Sequence, residues 1–254
     1  MELQASVFDS EQNLHAYPDG IQGHYWHVAR NRILTRVIAS TSREVAPTEV
    51  ILEIGCGRGI VVSHLRSAGL PAYGCDLTDA VPITELVGDF LYLRSNAFDL
   101  PESFRKRVGR IALLDVLEHI EQPASFLRET ALHFPNCRQW IVTLPARQEL
   151  WSNYDKWYGH FQRYDLEGVR RLADDASVRV EDLRYFFHAL YFPALAVTRI
   201  HHKRSLTLRP PGPGAAWLHK VLGFLFSQEQ WLFPSRLPGM SILARFSRQC
   251  STDT

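Results

Sequence analysis

Asp115, Glu118 and His119 stand together in the run Asp115-Val116-Leu117-Glu118-His119, and a second histidine, His160, lies in a segment rich in aromatic residues, 151–164. Histidine titrates near neutral pH, so either imidazole could take the proton of a reacting hydroxyl or acid. On a helical turn, residues 115, 118 and 119 would share one face. Two carboxylates and an imidazole there could hold a hard cation; they could equally cap a helix and support it by hydrogen bonds. No metal ligand is assigned on this pattern. A different chemistry is offered by Glu53-Ile54-Gly55-Cys56-Gly57-Arg58-Gly59, with Asp76 closing the later run Ala72-Tyr73-Gly74-Cys75-Asp76. Glycine opens backbone conformations closed to other residues and keeps no side chain between backbone and ligand. A helix N-terminus behind such a turn offers free N–H groups. The spacing is G-x-G-x-G rather than the dinucleotide fingerprint G-x-G-x-x-G. An acid two positions before the first glycine suits a cationic ligand better than a pyrophosphate. Asp76 stands where a carboxylate that grips ribose hydroxyls belongs.

These residues need a scaffold, and the hydrophobic pattern supplies one. Residues 50–54 read as a buried strand, and 60–65 resume with helical spacing, so the glycines make a strand-to-helix turn. Further strands are expected at 72–76, 90–94, 110–114, 138–145, 177–187 and 240–246. Helices are expected from 24 onward, where Trp26, Ile33, Leu34, Val37 and Ile38 keep a helical period, and at 60–67, stopped by Gly69. Others fall at 84–87, 124–134 and 165–173, the last starting at Asp165. Residues 217–231 carry an apolar stripe at 217, 218, 221, 222, 225 and 226. The segment 151–164 has no clean period and reads as a loop with a short helix over the carboxyl edge of the sheet, where ligands bind in such folds.

The set E-I-G-C-G-R-G followed by G-C-D resembles the class I S-adenosylmethionine-dependent methyltransferases of the small-molecule type 11/12-like subfamily. D-V-L-E-H after the fourth strand is similar to their x-V-L-E-H, and Asn96-Ala97 before Leu100-Pro101 is similar to their adenine-side motif. The segment W-S-x-x-D-x-x-x-G-H-x-x-R-Y, from Trp151 to Tyr164, looks like that of a bacterial methyltransferase subfamily. Ubiquinone-pathway O-methyltransferases, which are metal-assisted, are similar through E-x-x-E-H; Asp115 departs from their first glutamate. The resemblance implies a Rossmann-like α/β three-layer sandwich: a mostly parallel seven-stranded sheet with an antiparallel last strand, and a helical insert before it. It implies an N-terminal helical cap at 1–42, a cofactor-binding core at 43–187 with a lid at 146–164, the insert at 188–238, and a final strand and tail at 239–254. The implied cofactor is S-adenosylmethionine, held by Glu53, Gly55, Gly57, Gly59, Asp76, Leu77, Asn96, Ala97 and Leu114, with Arg32 or Arg30 for its carboxylate. Trp26, Asp155, Arg163 and Tyr164 are the expected acceptor contacts, with His160 as the first and His119 as the second choice of base. Methyl transfer at oxygen is the expected reaction. A cofactor-binding partner subunit without turnover is the alternative, and a nicotinamide enzyme a more distant one.

Hydrophobic residues make up 46% of the 254, enough for a sizeable core. A net charge of +1 names no polyanion as obligatory partner, and no nucleic acid is expected. The charge is uneven: residues 184–254 hold nine Lys/Arg against two Asp/Glu. That basic, aromatic third suits a phosphate-bearing or membrane-surface partner, or simply solvates an apolar segment. The insert 188–238 could accordingly lie in a membrane interface, roof a greasy pocket, form a dimer face or pack as core. The expected acceptor is a small molecule or is lipid- or glycan-linked. Cys56, Cys75, Cys137 and Cys250 form no C-x-x-C pair or zinc spacing, which is reduced, cytoplasmic usage. The first residues lack the basic and apolar regions of a secretory signal, and no apolar run approaches the ~20 residues of a spanning helix.

Overall fold

Residues 50–54 and 108–114 form the middle of a seven-stranded sheet because they are almost wholly apolar, Glu53 and Arg110 apart, as strands covered by helices on both faces are. In a computed structural model of the chain the described residues are 12, 15–40, 48–201, 205–206 and 208–249. The expectations for 1–11, the linker at 43–47, the His202-Lys203-Arg204 run and Cys250 lie outside them. The strands are β1 (Val50–Ile54), β2 (Ala72–Cys75), β3 (Leu91–Tyr92), β4 (Val108–Leu114), β5 (Gln139–Pro145), β6 (Val178–Phe186) and β7 (Ser241–Arg248). Their order is β3-β2-β1-β4-β5-β7-β6. β1 to β5 pair in parallel, while β7 is antiparallel to both β5 and β6. This is the expected Rossmann-like architecture. The strand order reverses between β1 and β4, and the crevice at the carboxyl ends of those two strands is where such sheets take ligands.

The helices are α1 (Tyr25–Ser40), α2 (Ile60–Ser67), α3 (Glu85–Gly88), α4 (Glu102–Arg105), α5 (Pro123–His133), α6 (Asn153–Trp157), α7 (Leu166–Asp175), α8 (His188–His201) and α9 (Ala216–Leu232). Side chains alternate across the sheet with period two, so one face gathers Leu52, Ile111, Leu113, Trp140 and Val142 under α5 and α7. The other gathers Ile51, Ala112, Leu114 and Ile141 under Ile33, Leu34 and Ile38 of α1 and Val61, Val62 and Leu65 of α2. α1 thus packs into the core of the sandwich. The insert leaves after β6 as α8, returns as α9 along α1, and re-enters as β7.

Candidate active site

The glycine turn sits at the carboxyl end of β1. Gly55, Gly57 and Gly59 have φ of 79°, 50° and 75°, all left-handed. At Gly55 the constraint is double, because a Cβ there would also lie 2.7 Å from Val116 Cγ2. Asp76, at the end of β2, is tied to the turn. Its Oδ2 accepts the Gly57 N–H at 2.7 Å, and its Oδ1 accepts from the Thr78 N–H at 2.8 Å and the Thr78 hydroxyl at 2.6 Å. Ser95 donates its N–H to the Asp76 carbonyl, which brings Asn96 alongside. Asn96 Oδ1 caps the next turn through the Phe98 N–H at 3.0 Å. Ala97 is packed in the core beneath it. Leu77 is exposed at the mouth, and Leu114 is buried at the end of β4.

Glu53 is 4% exposed, and its Oε2 has no hydrogen-bond partner. Burial pushes its carboxyl up to about 8, against the pull of Arg30 and of the Val62 N–H. Protonated Glu53 therefore favours the fold. Its contribution is full below the unfolded value of 4.5 and is lost as pH rises through about 8. We expect the unliganded Glu53→Gln variant to gain on the parent by roughly 3–5 kcal/mol at most as pH is raised across that window. Thermal melts of both proteins over the window measure the difference. Equal pH slopes would show that Glu53 is ionised in the free protein.

Arg30, not Arg32, is the guanidinium at the crevice. Arg30 Nη1 pairs with Asp115 Oδ2 at 2.6 Å, and its guanidinium lies 4.4 Å from the centre of the Trp26 ring. Arg32 is exposed and stands over Phe224 of α9 instead. Two residues apart on a helix are about 200° apart in direction, so one arginine faces in and the other out. Trp26 is half-buried and stacked on Phe187 at 5.8 Å. Asp115 has φ of 57° and so leaves β4 in a left-handed step rather than opening a helical turn. The expected common face of residues 115, 118 and 119 does not form. Asp115 turns to Arg30 and to the Thr143 hydroxyl at 3.1 Å, while Glu118 and His119 lie on a 3-10 turn, Leu117–His119.

That turn meets the segment 146–164, the one the resemblance implies as a lid. The Phe161 N–H donates to the Glu118 carbonyl at 2.7 Å, and His160 packs edge-on to His119 with ring centres 4.7 Å apart. His160 Nδ1 is 2.9 Å from Asp155 Oδ1, and Arg163 Nε donates to the same oxygen at 2.7 Å. Asp155 also accepts the Ser152 N–H at 2.9 Å in a capping box that starts α6. Burial raises the Asp155 carboxyl, but the bonds from His160 and Arg163 outweigh it and hold it at about 2. Burial, with His160 beside it, drives His119 down to about 3, although a bond to the Tyr158 carbonyl opposes this. Glu118 is 1% exposed with Oε2 unpartnered, and burial raises its carboxyl well above the usual range. One ligand atom from each of Glu118, His119 and His160 falls within 4.8 Å of the others, so among the described residues these three, without Asp115, form the group that could hold a cation.

Asp155, Arg163 and Tyr164 are not at the surface of the crevice, as acceptor contacts would have to be. All three are buried. Arg163 spends itself on Asp155 and the Ala146 carbonyl, and the Tyr164 hydroxyl bonds the Leu117 carbonyl and Gln162. They build the lid's base and fix His160.

Tyr17 is a site residue that the sequence reading missed. Its ring lies against the glycine turn, 3.0 Å from where a Gly57 Cβ would be. Burial raises its hydroxyl; Arg30 lowers it, and Asp115, Asp76 and Glu53 raise it, so it feels the charges of the crevice. Arg58 fixes this strap through the Tyr17 carbonyl at 2.7 Å and Asp19 at 2.8 Å. An open cleft of about 960 Å³ elsewhere, between α5, α7 and the lid, is lined by Arg128, Arg147 and Arg171 against Glu149, Asp165 and Asp175. It holds none of the glycine-turn residues.

Residues 25–183 match the model of a family described as a methyltransferase domain. Among solved structures, magnesium protoporphyrin IX methyltransferase from Synechocystis PCC 6803 with bound SAH is similar at 13% identity, covering 96% of this chain and 89% of that one, with a TM-score of 0.52. A chain of the complex between the Haloferax volcanii Trm112 methyltransferase activator and the putative methyltransferase is similar at 14% identity, over 96% of this chain and 100% of that one, TM-score 0.55. A putative methyltransferase from Bacillus halodurans is similar at 16%, over 86% and 99%, TM-score 0.51. At these identities the likeness concerns the fold. No curated protein matches the chain by sequence.

Proposed function

Because the chain belongs to the methyltransferase-domain family, we propose that it moves a methyl group from S-adenosylmethionine to an oxygen of a small-molecule or lipid- or glycan-linked acceptor, with His160 as general base. The observation that carries the reading is the Asp155–His160 pair, seated against the turn that leaves β4 beside the Asp76 glycine crevice. The crevice suits a cationic nucleoside: the buried Glu53 Oε2 is unpartnered and would ionise on meeting a cation, and only glycine fits at 55 against Val116 and at 57 against Tyr17. Asp76 would take the ribose hydroxyls, Asn96 the adenine edge, and Arg30 the methionyl carboxylate. When bound, the cofactor would supply an electrophilic methyl on a sulfonium, whose sulfur departs as a neutral thioether and needs no acid from the protein. The protein's work is then alignment and proton removal, and alignment alone can supply up to ~7–11 kcal/mol. His160 accepts the acceptor's proton at Nε2, while Asp155 fixes the ring through Nδ1 and balances the charge that develops, as in the Ser-His-Asp arrangement. His119, driven down to about 3, is a poor base at neutral pH and serves as the wall behind His160. The reading places the enzyme in the cytoplasm, where the buried free thiols of Cys56, Cys75 and Cys137 stay reduced.

Two measurements test this. S-adenosylmethionine should raise the melting temperature of the parent, and Asp76→Asn should weaken its binding by about 10–100-fold, the worth of charge-assisted hydrogen bonds. Isotopically labelled cofactor incubated with extract of the source cell should yield a labelled product. No binding would end the proposal. Binding without any labelled product would favour the subunit without turnover.

A further inference from the structure

α8 and α9 turn most of their large apolar side chains outward, although Leu190, Tyr191 and Phe226 pack inward. The side of α9 that meets α1 carries His219, Gly223 and Ser227. His219 Nδ1 accepts the Tyr25 N–H at 3.2 Å, Arg36 donates to the Ser227 carbonyl at 2.9 Å, and a Cβ on Gly223 would lie 2.6 Å from Val28. The opposite side carries Trp217, Leu218, Val221, Phe224 and Leu225, all exposed, Trp217 by 66%. α8 does the same: Tyr191 and Thr198 are buried, while Phe192 and Ile200 are 64% and 70% exposed. Twelve of the eighteen exposed large apolar side chains among the described residues fall in 188–238. They are therefore one local feature, not the single scattered residues found on any surface.

The charges on the same segment choose among possible occupants. Arg199, Arg209, Lys220 and Arg236 are all exposed. The one acid in 188–238, Glu229, is buried and spent on the N–H groups of His188 and Ala189, the bond that joins α9 to the start of α8. A second copy would set cations against cations with no carboxylate to pair them. A bilayer rich in anionic lipid offers apolar depth and negative headgroups together, the combination that holds a helix in the interface plane. No helix among the described residues is long and apolar enough to cross a membrane.

We propose that the outward faces of α8 and α9 dock the protein on the surface of an anionic lipid bilayer. The two helices lie in the interface, with Trp217 and Trp231 at headgroup level and the arginines and Lys220 against lipid phosphates. The site is within reach of that surface: α9 packs along α1, which carries Trp26 and Arg30, and Tyr191 of α8 donates to Glu149 in the lid at 2.7 Å. Docking stands independently of methyl transfer. Its consequence that the acceptor is drawn from the lipid phase rests on the methyltransferase reading.

The test is flotation of the full chain with vesicles of phosphatidylcholine alone and of phosphatidylcholine with about a third phosphatidylserine. Expected is binding to the anionic vesicles, weakened by salt. A fall of roughly tenfold or more in partitioning is expected for Lys220→Glu with Arg236→Glu, and a comparable fall for Trp217→Ser with Leu218→Ser and Leu225→Ser. Unchanged melting temperatures of these variants, and unchanged stabilisation by S-adenosylmethionine, would show that the fold and the crevice survive. Failure to float with anionic vesicles at low salt would overturn the proposal. So would equal binding to both vesicle types without loss in either variant. A dimer in sedimentation that dissociates with the same apolar substitutions would assign the face to a second copy and overturn it as well.

Discussion

Replacing His160 by Gln lowers kcat by about 10²–10⁴-fold, the usual worth of a positioned base, and leaves S-adenosylmethionine affinity where it was. The expectation follows from what Gln cannot do. It fills the imidazole's place and can still bond Asp155, but it cannot take a proton. The His160 side chain is only 7% exposed, so bulk water has little access to replace it. His119→Gln should cost far less, because a group driven down to about 3 contributes little as a base. Zinc in the assay should inhibit by competing with the proton for His160, since Glu118 and His119 stand within ligand reach of it; a chelator should restore the rate. Single-turnover kinetics under saturating substrates checks all three. Equal losses in the two histidine variants, or activation by a divalent ion, would remove His160 from the role of base.

Asp155→Ala should destabilise the protein by about 3–5 kcal/mol, the loss that follows when one member of a buried charge pair is removed. Arg163 would be left with its side chain 3% exposed and its carboxylate gone, and the Ser152 N–H at the start of α6 would lose its cap. For a chain of this size that is a fall of roughly 10 °C in melting temperature. Replacing Asp155 and Arg163 together by apolar residues should recover much of the loss, because no charge is then stranded. The pH dependence has a definite sign. A carboxyl held at about 2 in the fold, against 3.8 in the free chain, gives stability that is full above 3.8 and is lost as pH falls through about 2. Acid titration of the parent against Asp155→Ala should show the parent's advantage shrinking across that window. An advantage that is flat across it would mean Asp155 carries no such charge.

The sheet and the glycine crevice were legible in the sequence because their signals are local. An apolar run, three glycines at alternate positions and an apolar helical start occupy one contiguous stretch, and the same holds for 108–114 running into Asp115. Burial and helical phase were not local. Arg30 and Arg32 are the same residue type two positions apart, and only the packing of α1 on the sheet decides which looks into the crevice. Asp155, Arg163 and Tyr164 have the chemistry of ligand contacts and the surroundings of core residues. The S-x-x-D of Ser152 and Asp155, a capping-box pattern, was the available hint that Asp155 faces its own backbone. Tyr17 could not be read at all, since its partners at Gly57 and Arg58 lie some forty positions on and nothing periodic marks it.

Phe186, where β6 ends, is the register partner of Ser241, where β7 begins. The chain therefore departs on its excursion through α8 and α9 and comes back to the same rung of the ladder. Whatever its length or composition, that detour leaves the hydrogen-bond register of the hairpin unaltered. A change in this cassette would therefore reach the crevice through α1, which α9 grips and which carries Trp26 and Arg30, and not through the strands.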